Sequence, residues 1–318
     1  MKKRPEHIDP EWIRLDFMVP REYAGWRADR FISNRIPRLS RTRVQRVLRR
    51  AGFDAQGRPV KPNRPLAEGE CISIYRPPPE EPDAPRRFSV LFEDEWILAV
   101  DKPAGLPVHP TARYHRNTLT TLLRERYGAD DRPVLAHRLD SETSGVLLCA
   151  KTRESERALK MMFADRKIAK RYLAVVRGVP SPPASRIEVP LGPDTVSPIR
   201  VKMAAGPEGL PALTEYRVIC ERESLSVVEC RPRTGRQHQI RAHLAHIGHP
   251  VIGDKMYGID PSVFLEYIEQ GLTEEIEKRT GARRHLLHAA SVSLMHPMTD
   301  DRLEIECRLP DDMSPYLD

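Results

Sequence analysis

Residues 135–145 read LAHRLDSETSG. One aspartate, Asp140, follows a His-Arg pair and leads into a run of small polar residues. The segments on either side, VLAHRLD (134–140) and GVLLCAK (145–151), are rich in Val and Leu and read as strands. Asp140 thus falls at a strand end before a tight turn, where the backbone can hold one carboxylate at the rim of a sheet. A turn aspartate can also bond its own backbone, and the local pattern leaves both roles open.

Outward from this point, strand-like and helix-like segments alternate. Upstream, FSVLFED (88–94) and WILAVDKP (96–103) read as strands. NTLTTLLRERYG (117–128) carries Asn117 as a cap, a leucine stripe and Gly128 as a stop, the marks of a helix. Downstream, TRESERALKMMFADR (152–166) and RQHQIRAHLAHIG (236–248) read as helices, the second ended by Gly248. AKRYLAVVRG (169–178), ALTEYRVICER (212–222) and SLSVVECRPR (224–233) read as strands. The fold class expected is α+β, with a mixed, mostly antiparallel sheet. Residues 259–284 read as an amphipathic insertion, acidic in the middle, with no role assigned by the sequence.

The N-terminal part differs in character. RIPRLSRTRVQRVLRRAG (35–52) holds seven arginines and no acid. Ser40 suits an N-cap and Gly52 a glycine stop. Val44, Val47, Leu48 and Ala51 recur at helical spacing and make one apolar stripe. Arg43, Arg46 and Arg50 fall on another face. A solvated helix face usually mixes signs, whereas guanidinium forks suit phosphate oxygens. RPPPEEPDAPRR (76–87) then reads as a semi-rigid, proline-rich linker. The expected domains are a flexible lead-in at 1–16, a small α+β unit at 17–75, the linker at 76–87 and a large unit at 88–318.

Composition narrows the class. The chain has 318 residues, 40% hydrophobic and 31% charged, which suits a globular protein with a sizeable core. No apolar run reaches the length of a membrane helix, and the charged start does not read as a secretory signal, so a cytoplasmic protein with no membrane partner is expected. Five scattered cysteines show no C-x-x-C spacing and argue against a disulfide framework or zinc ribbon. The histidines at 238, 243, 246 and 249 raise a metal reading, but helical spacing lets at most two share a face, with no acid or thiol close by in sequence. Nucleotide-binding glycine loops and the common hydrolase motifs are missing. A net charge of +7 points to a polyanionic partner. Nothing in the sequence argues for an oligomer, so a monomer is expected.

HRLDSETSG, with ILAVDKPAGLPVHP (97–110) upstream and KRYLAVVRG, RTGRQHQIRAHL, GHPVIGDKMYG and LLHAASVSLMHP downstream, closely resembles the RluA-type pseudouridine synthases, in family order from about Ser89 to Pro297. Residues 27–74 resemble a small S-four-type RNA-binding module often attached to that family. The resemblance implies a catalytic domain of the pseudouridine synthase fold and isomerisation of specific uridines in RNA, needing no cofactor. Large-subunit ribosomal RNA is the substrate expected. Transfer RNA, or a non-catalytic RNA-binding or ribosome-assembly factor on the same fold, are the alternatives.

The same resemblance carries roles to particular residues. It makes Asp140 the essential carboxylate, acting on sugar or base or stripping a ribose proton. It makes Arg241 the guanidinium partner that keeps Asp140 ionised, and Tyr172 the aromatic face for a flipped base. Leu287 is implied to line the pocket and Arg138 to support the flipped site. Arg43, Arg46 and Arg50 are implied to contact RNA. Where Gln237 stands, the family more often has threonine or serine. A glycoside hydrolase would need a second placed carboxylate, and Glu142 is the only near candidate.

Overall fold

The computed structural model describes residues 4–10, 12–37, 39–77, 81–111 and 113–317. They form two compact units, divided between Glu81 and Pro82. That division lies within the proline-rich stretch, of which residues 78–80 fall outside the described residues.

The first unit contains β1 (Ile13–Met18), α1 (Ala28–Arg35), α2 (Arg41–Ala51), β2 (Gly52–Phe53) and β3 (Cys71–Arg76). Its strands are antiparallel in the order β1-β3-β2. Phe31 and Ile32 of α1 and Val44 and Leu48 of α2 form a core with Ile72 and Ile74 of β3. Burying each such side chain contributes about 1.5–3 kcal/mol. The Ser40 hydroxyl accepts from the Arg43 N–H and caps α2 as its sequence suggested.

Two expectations for this unit need correction. The described part of the lead-in expected to be flexible at 1–16 is partly ordered: β1 starts at Ile13 and pairs residue by residue with β3. Ile8 is only 5% exposed and packs with Phe53 and Tyr75, because its apolar side chain finds a place beneath them. Gly52 is not a left-handed stop either. Its backbone is extended and begins β2, and a Cβ there would lie 2.8 Å from Leu48 Cδ2. Close approach, rather than positive φ, calls for glycine at this position.

The second unit runs through β4 (Ser89–Glu93), β5 (Ile97–Lys102), α3 (Leu119–Tyr127), β6 (Val134–Leu135), β7 (Ser144–Ala150), α4 (Arg153–Ala164), β8 (Ala169–Arg177), β9 (Ala184–Ile187), β10 (Leu191–Pro193), β11 (Met203–Ala205), β12 (Thr214–Glu221), β13 (Leu225–Pro232), α5 (Gln239–His246), α6 (Pro261–Gln270), α7 (Glu274–Thr280), β14 (Leu287–Met295) and β15 (Arg302–Glu306). Among the described residues, ten of its strands make one sheet, ordered β4-β5-β7-β14-β8-β13-β12-β9, with β15 on β14 and β6 on β7. The fold is α+β with a mixed, mostly antiparallel sheet: β7 and β14 run parallel, and the other pairs are antiparallel.

Two-residue alternation divides the core. Leu98, Val100, Leu147 and Cys149 pack in one cluster with Leu119 and Leu123 of α3 and Leu244 of α5. Ile97, Ala99, Val146 and Leu148 pack in another with Leu159 of α4. Tyr172 and Ala174 of β8 belong to the first cluster, on the side of α5.

The helix at 119–127 starts one residue later than its sequence suggested. Thr118 is the cap, accepting from the Thr121 N–H, while the Asn117 side chain accepts from Arg86. The strand read over 134–140 shrinks to Val134–Leu135, since the chain leaves the β7 ladder before His137. Residues 259–284 become two short helices, α6 and α7.

Candidate active site

Asp140 sits in the loop between β6 and β7, and several elements fasten that loop. The Thr143 N–H donates to the Asp140 carbonyl, closing the turn. The Ser141 carbonyl accepts from the Gly105 N–H and from the Lys102 ammonium. Lys102 is fully buried and also reaches the carbonyls of Pro103 and Leu106, so all three of its donors are used. Thr143 bonds His285, and Ser144 bonds His288 of β14. The parallel pairing of Ser144 with His288 and Gly145 with Ala289 brings the starts of β7 and β14 side by side. That pairing sets Leu287 next to the Asp140 loop.

The Asp140 carboxylate does not serve its own turn. Oδ2 accepts from Arg241 Nη1 at 2.8 Å, across 101 residues of chain. The aspartate side chain is 19% exposed and the arginine 7%. Arg241, on the first turn of α5, divides its guanidinium between two acids. Nε and Nη2 grip Asp254 at 2.6 and 2.9 Å, and Nη1 is left for Asp140. Asp254 is held in turn by the N–H groups of Met256 and Tyr257. The guanidinium also lies over the Tyr257 ring, 5.1 Å from its centroid.

These contacts set the charges. Burial pushes the Asp140 pKa up, but the Arg241 guanidinium, with smaller help from His238 and Arg138, outweighs it and holds the carboxyl below its ordinary range. Burial alone would loosen the Arg241 proton; Asp254 and then Asp140 more than offset that, so the guanidinium stays charged. His238 Nε2 lies 3.9 Å from Asp140, yet burial takes its pKa down to about 4 and leaves the ring neutral near pH 7. Tyr172 is 9% exposed; burial and the Asp140 charge raise its phenol, which stays protonated.

Asp140, Tyr172, Arg241, Leu287 and Arg138 line one cavity of about 1070 Å³. The five residues marked by the sequence on this unit therefore meet, although they come from one loop, two strands and a helix. Arg138 is exposed at the cavity wall. His137 is structural, its Nε2 accepting from the Leu148 N–H, and burial lowers its pKa to about 3. Arg43, Arg46 and Arg50 belong to the other compact unit, exposed along α2. Arg50 lies over the Trp12 ring.

Other readings of the sequence find no support in the contacts. Glu142 is bound by Lys255 at 2.9 and 3.1 Å and by the His285 N–H, so it is not a free partner acid for Asp140. The clustered histidines have separate tasks: His243 bonds Thr214 and the Val189 carbonyl, and His249 the Arg177 carbonyl. Sequence reasoning missed Asp254. A buried arginine paired with one carboxylate requires further acceptors for its remaining donors, and GHPVIGDKMYG holds the one that Arg241 uses.

Comparison with known proteins places the chain in a family. The family model described as RNA pseudouridylate synthase matches residues 96–246. A protein of Zymomonas mobilis named ribosomal large subunit pseudouridine synthase D is 34% identical over 306 residues, 92% of this chain and 93% of its own. An RNA pseudouridine synthase of Chloroflexus aurantiacus is 35% identical, over 93% of this chain and 90% of its own. The solved structure of human RNA pseudouridylate synthase domain containing 1 is 26% identical, covers 75% of this chain and 89% of its own, and superposes with a TM-score of 0.58. The chain belongs to the RluA-type family of RNA pseudouridine synthases, isomerases that act on RNA.

Proposed function

We propose that this protein converts specific uridines of large-subunit ribosomal RNA to pseudouridine, with Asp140 as its catalytic carboxylate and no cofactor. The Arg241–Asp140 contact at 2.8 Å, on the wall of a cavity that also holds Tyr172, is the observation that carries the reading. The ribosomal substrate rests on relatives named for it, such as the Zymomonas mobilis protein.

The reaction is an isomerisation. The N1–C1′ bond breaks, the base turns, and C1′ joins C5; C5 gives up a proton and N1 gains one, so atoms balance without an outside reagent. The uridine must leave its stack to reach the cavity. Tyr172 and Leu287 offer the released uracil an apolar face, and Arg138 stands at the wall where the RNA enters. Asp140 stays ionised because Arg241 opposes its burial, and so it can act as nucleophile or base toward the ribose. Arg43, Arg46 and Arg50 on α2, in an S-four-type module at 17–75, bind phosphates of structured RNA. The protein works in the cytoplasm as a monomer.

Unmodified ribosomal RNA, incubated with the protein and probed for carbodiimide-dependent stops in reverse transcription, tests the reading. Wild type should introduce new stops at defined uridines. Asp140→Asn should reduce them to background while RNA affinity stays within about threefold, because a carboxamide keeps the shape and loses the charge. Stops of unchanged strength with the variant would remove Asp140 from the chemistry.

A further inference from the structure

Lys170 stands two residues before Tyr172 in β8, about 7 Å along the strand. Both residues line the cavity that contains Asp140. The Lys170 ammonium donates to the Thr234 carbonyl at 3.1 Å, in the loop that leads to α5. An ammonium has three donors, and no acid pairs with this one among the described residues. Three of its cationic neighbours on the cavity wall are already engaged, and Arg138, Arg166 and Arg302 on the same wall are exposed to solvent, whereas Lys170 is half-buried. Arg171 reaches Ser291 and Glu306, Arg231 reaches Glu229, and Arg233 reaches Glu215. Burial lowers the Lys170 pKa to about 8, with no opposing carboxylate. A half-withdrawn cation without a counter-ion gains most from an anion that enters the cavity with the substrate.

Uracil is neutral, and the only anion on a nucleotide within an RNA strand is its phosphate. We propose that Lys170 grips the phosphate of the flipped nucleotide, a contact that forms only once the base has reached Tyr172. The assignment rests on the proposed reading of the cavity as a uridine site. A phosphate contact of this kind positions the nucleotide without reading its sequence. Because it appears only in the flipped state, it speeds conversion more than it tightens initial binding.

A hairpin RNA carrying the mapped uridine, tritiated at C5, provides the test. It is made with either its natural linkages or one uncharged methylphosphonate at the target nucleotide. Single-turnover tritium release and RNA affinity are measured for wild type, Lys170→Met and Lys170→Arg. Loss of one charged contact should slow wild type about ten- to hundredfold on the neutral linkage. Lys170→Met should slow equally on natural RNA, with no further loss on the neutral linkage, and Lys170→Arg should stay close to wild type. Losses that multiply, or a Lys170→Met defect confined to affinity, would overturn the assignment. Should Lys170→Met fold poorly, wild type alone decides: insensitivity to a neutral linkage at the target and at both flanking phosphates also overturns it. Absence of tritium release by wild type on natural RNA would instead defeat the isomerase reading itself.

Discussion

At the scale of the residue, Arg241 is the pivot, because one guanidinium answers two acids. Two of its nitrogens are committed to Asp254, which fixes the plane in which the third meets Asp140. A bidentate grip of that kind fixes direction as well as charge. The Asp140 carboxyl titrates below its ordinary value in the folded protein. Its charged state is therefore present at neutral pH and lost only as pH falls through that lowered value. The rate of wild type should show no Asp140 limb above about pH 4. Arg241→Met removes the largest opponent of burial at Asp140, so the acid limb should move up by about one to three units. Arg241→Lys, which keeps a charge, should move it less. Single-turnover rates from pH 4 to 8 measure both, and an unmoved limb in Arg241→Met would mean that another group sets the charge of Asp140. Asp254 would lose its partner in the same variant, so its melting temperature should fall as well.

At the scale of the element, the parallel pairing of β7 with β14 builds the site. It lays the Asp140 loop beside Leu287, and Tyr172 of β8 pairs with Ala289 one strand further on. Gly145 makes the pairing possible. Its φ is +108°, and a Cβ there would stand 2.2 Å from the Ala289 carbonyl oxygen. Neither the backbone of an alanine nor its methyl group fits. Gly145→Ala should cost more than about 3 kcal/mol, the sum of backbone strain and a forced shift of β14. Equilibrium urea unfolding measures it, and a cost under about 1 kcal/mol would show that the two strands can separate without harm. The glycine could be read in the sequence as part of a turn; its contact with Ala289 could not, because nothing local says that residue 145 faces residue 289.

At the scale of the whole molecule, the chain forms two units with separate cores. The first holds the exposed arginines of α2, while Arg41 on the same helix is already committed to the buried Asp29. Changing Arg43, Arg46 and Arg50 together to glutamine should weaken RNA binding. It should also make the dependence of log affinity on log salt shallower by about two to three, because fewer counterions are released. Equilibrium binding between 50 and 200 mM salt, a range of about fourfold in which such contacts dominate, checks this. An unchanged slope would assign the arginine face to solvent. The catalytic rate on bound RNA should not change, since the cavity residues all belong to the second unit.

The sequence by itself determined the α+β class, the arginine helix with its Ser40 cap, the place of Asp140 before a tight turn, and the motifs that name its partners. These depend on spacing, propensity and order, which are written locally. It did not show that Ile8 and the strand from Ile13 belong to the first unit's packing, since the few apolar side chains there carry no strong period. Its local pattern also left open what the Asp140 carboxylate bonds, and Arg241 was named only through the family resemblance. Only the tertiary structure showed Arg241 in contact with Asp140 at 2.8 Å, Asp254 holding the arginine from behind, and Glu142 bound to Lys255. The physical reason is range. Such contacts join residues from 13 to 113 positions apart in the chain, and strand register and helix placement, not local preference, determine which side chains meet.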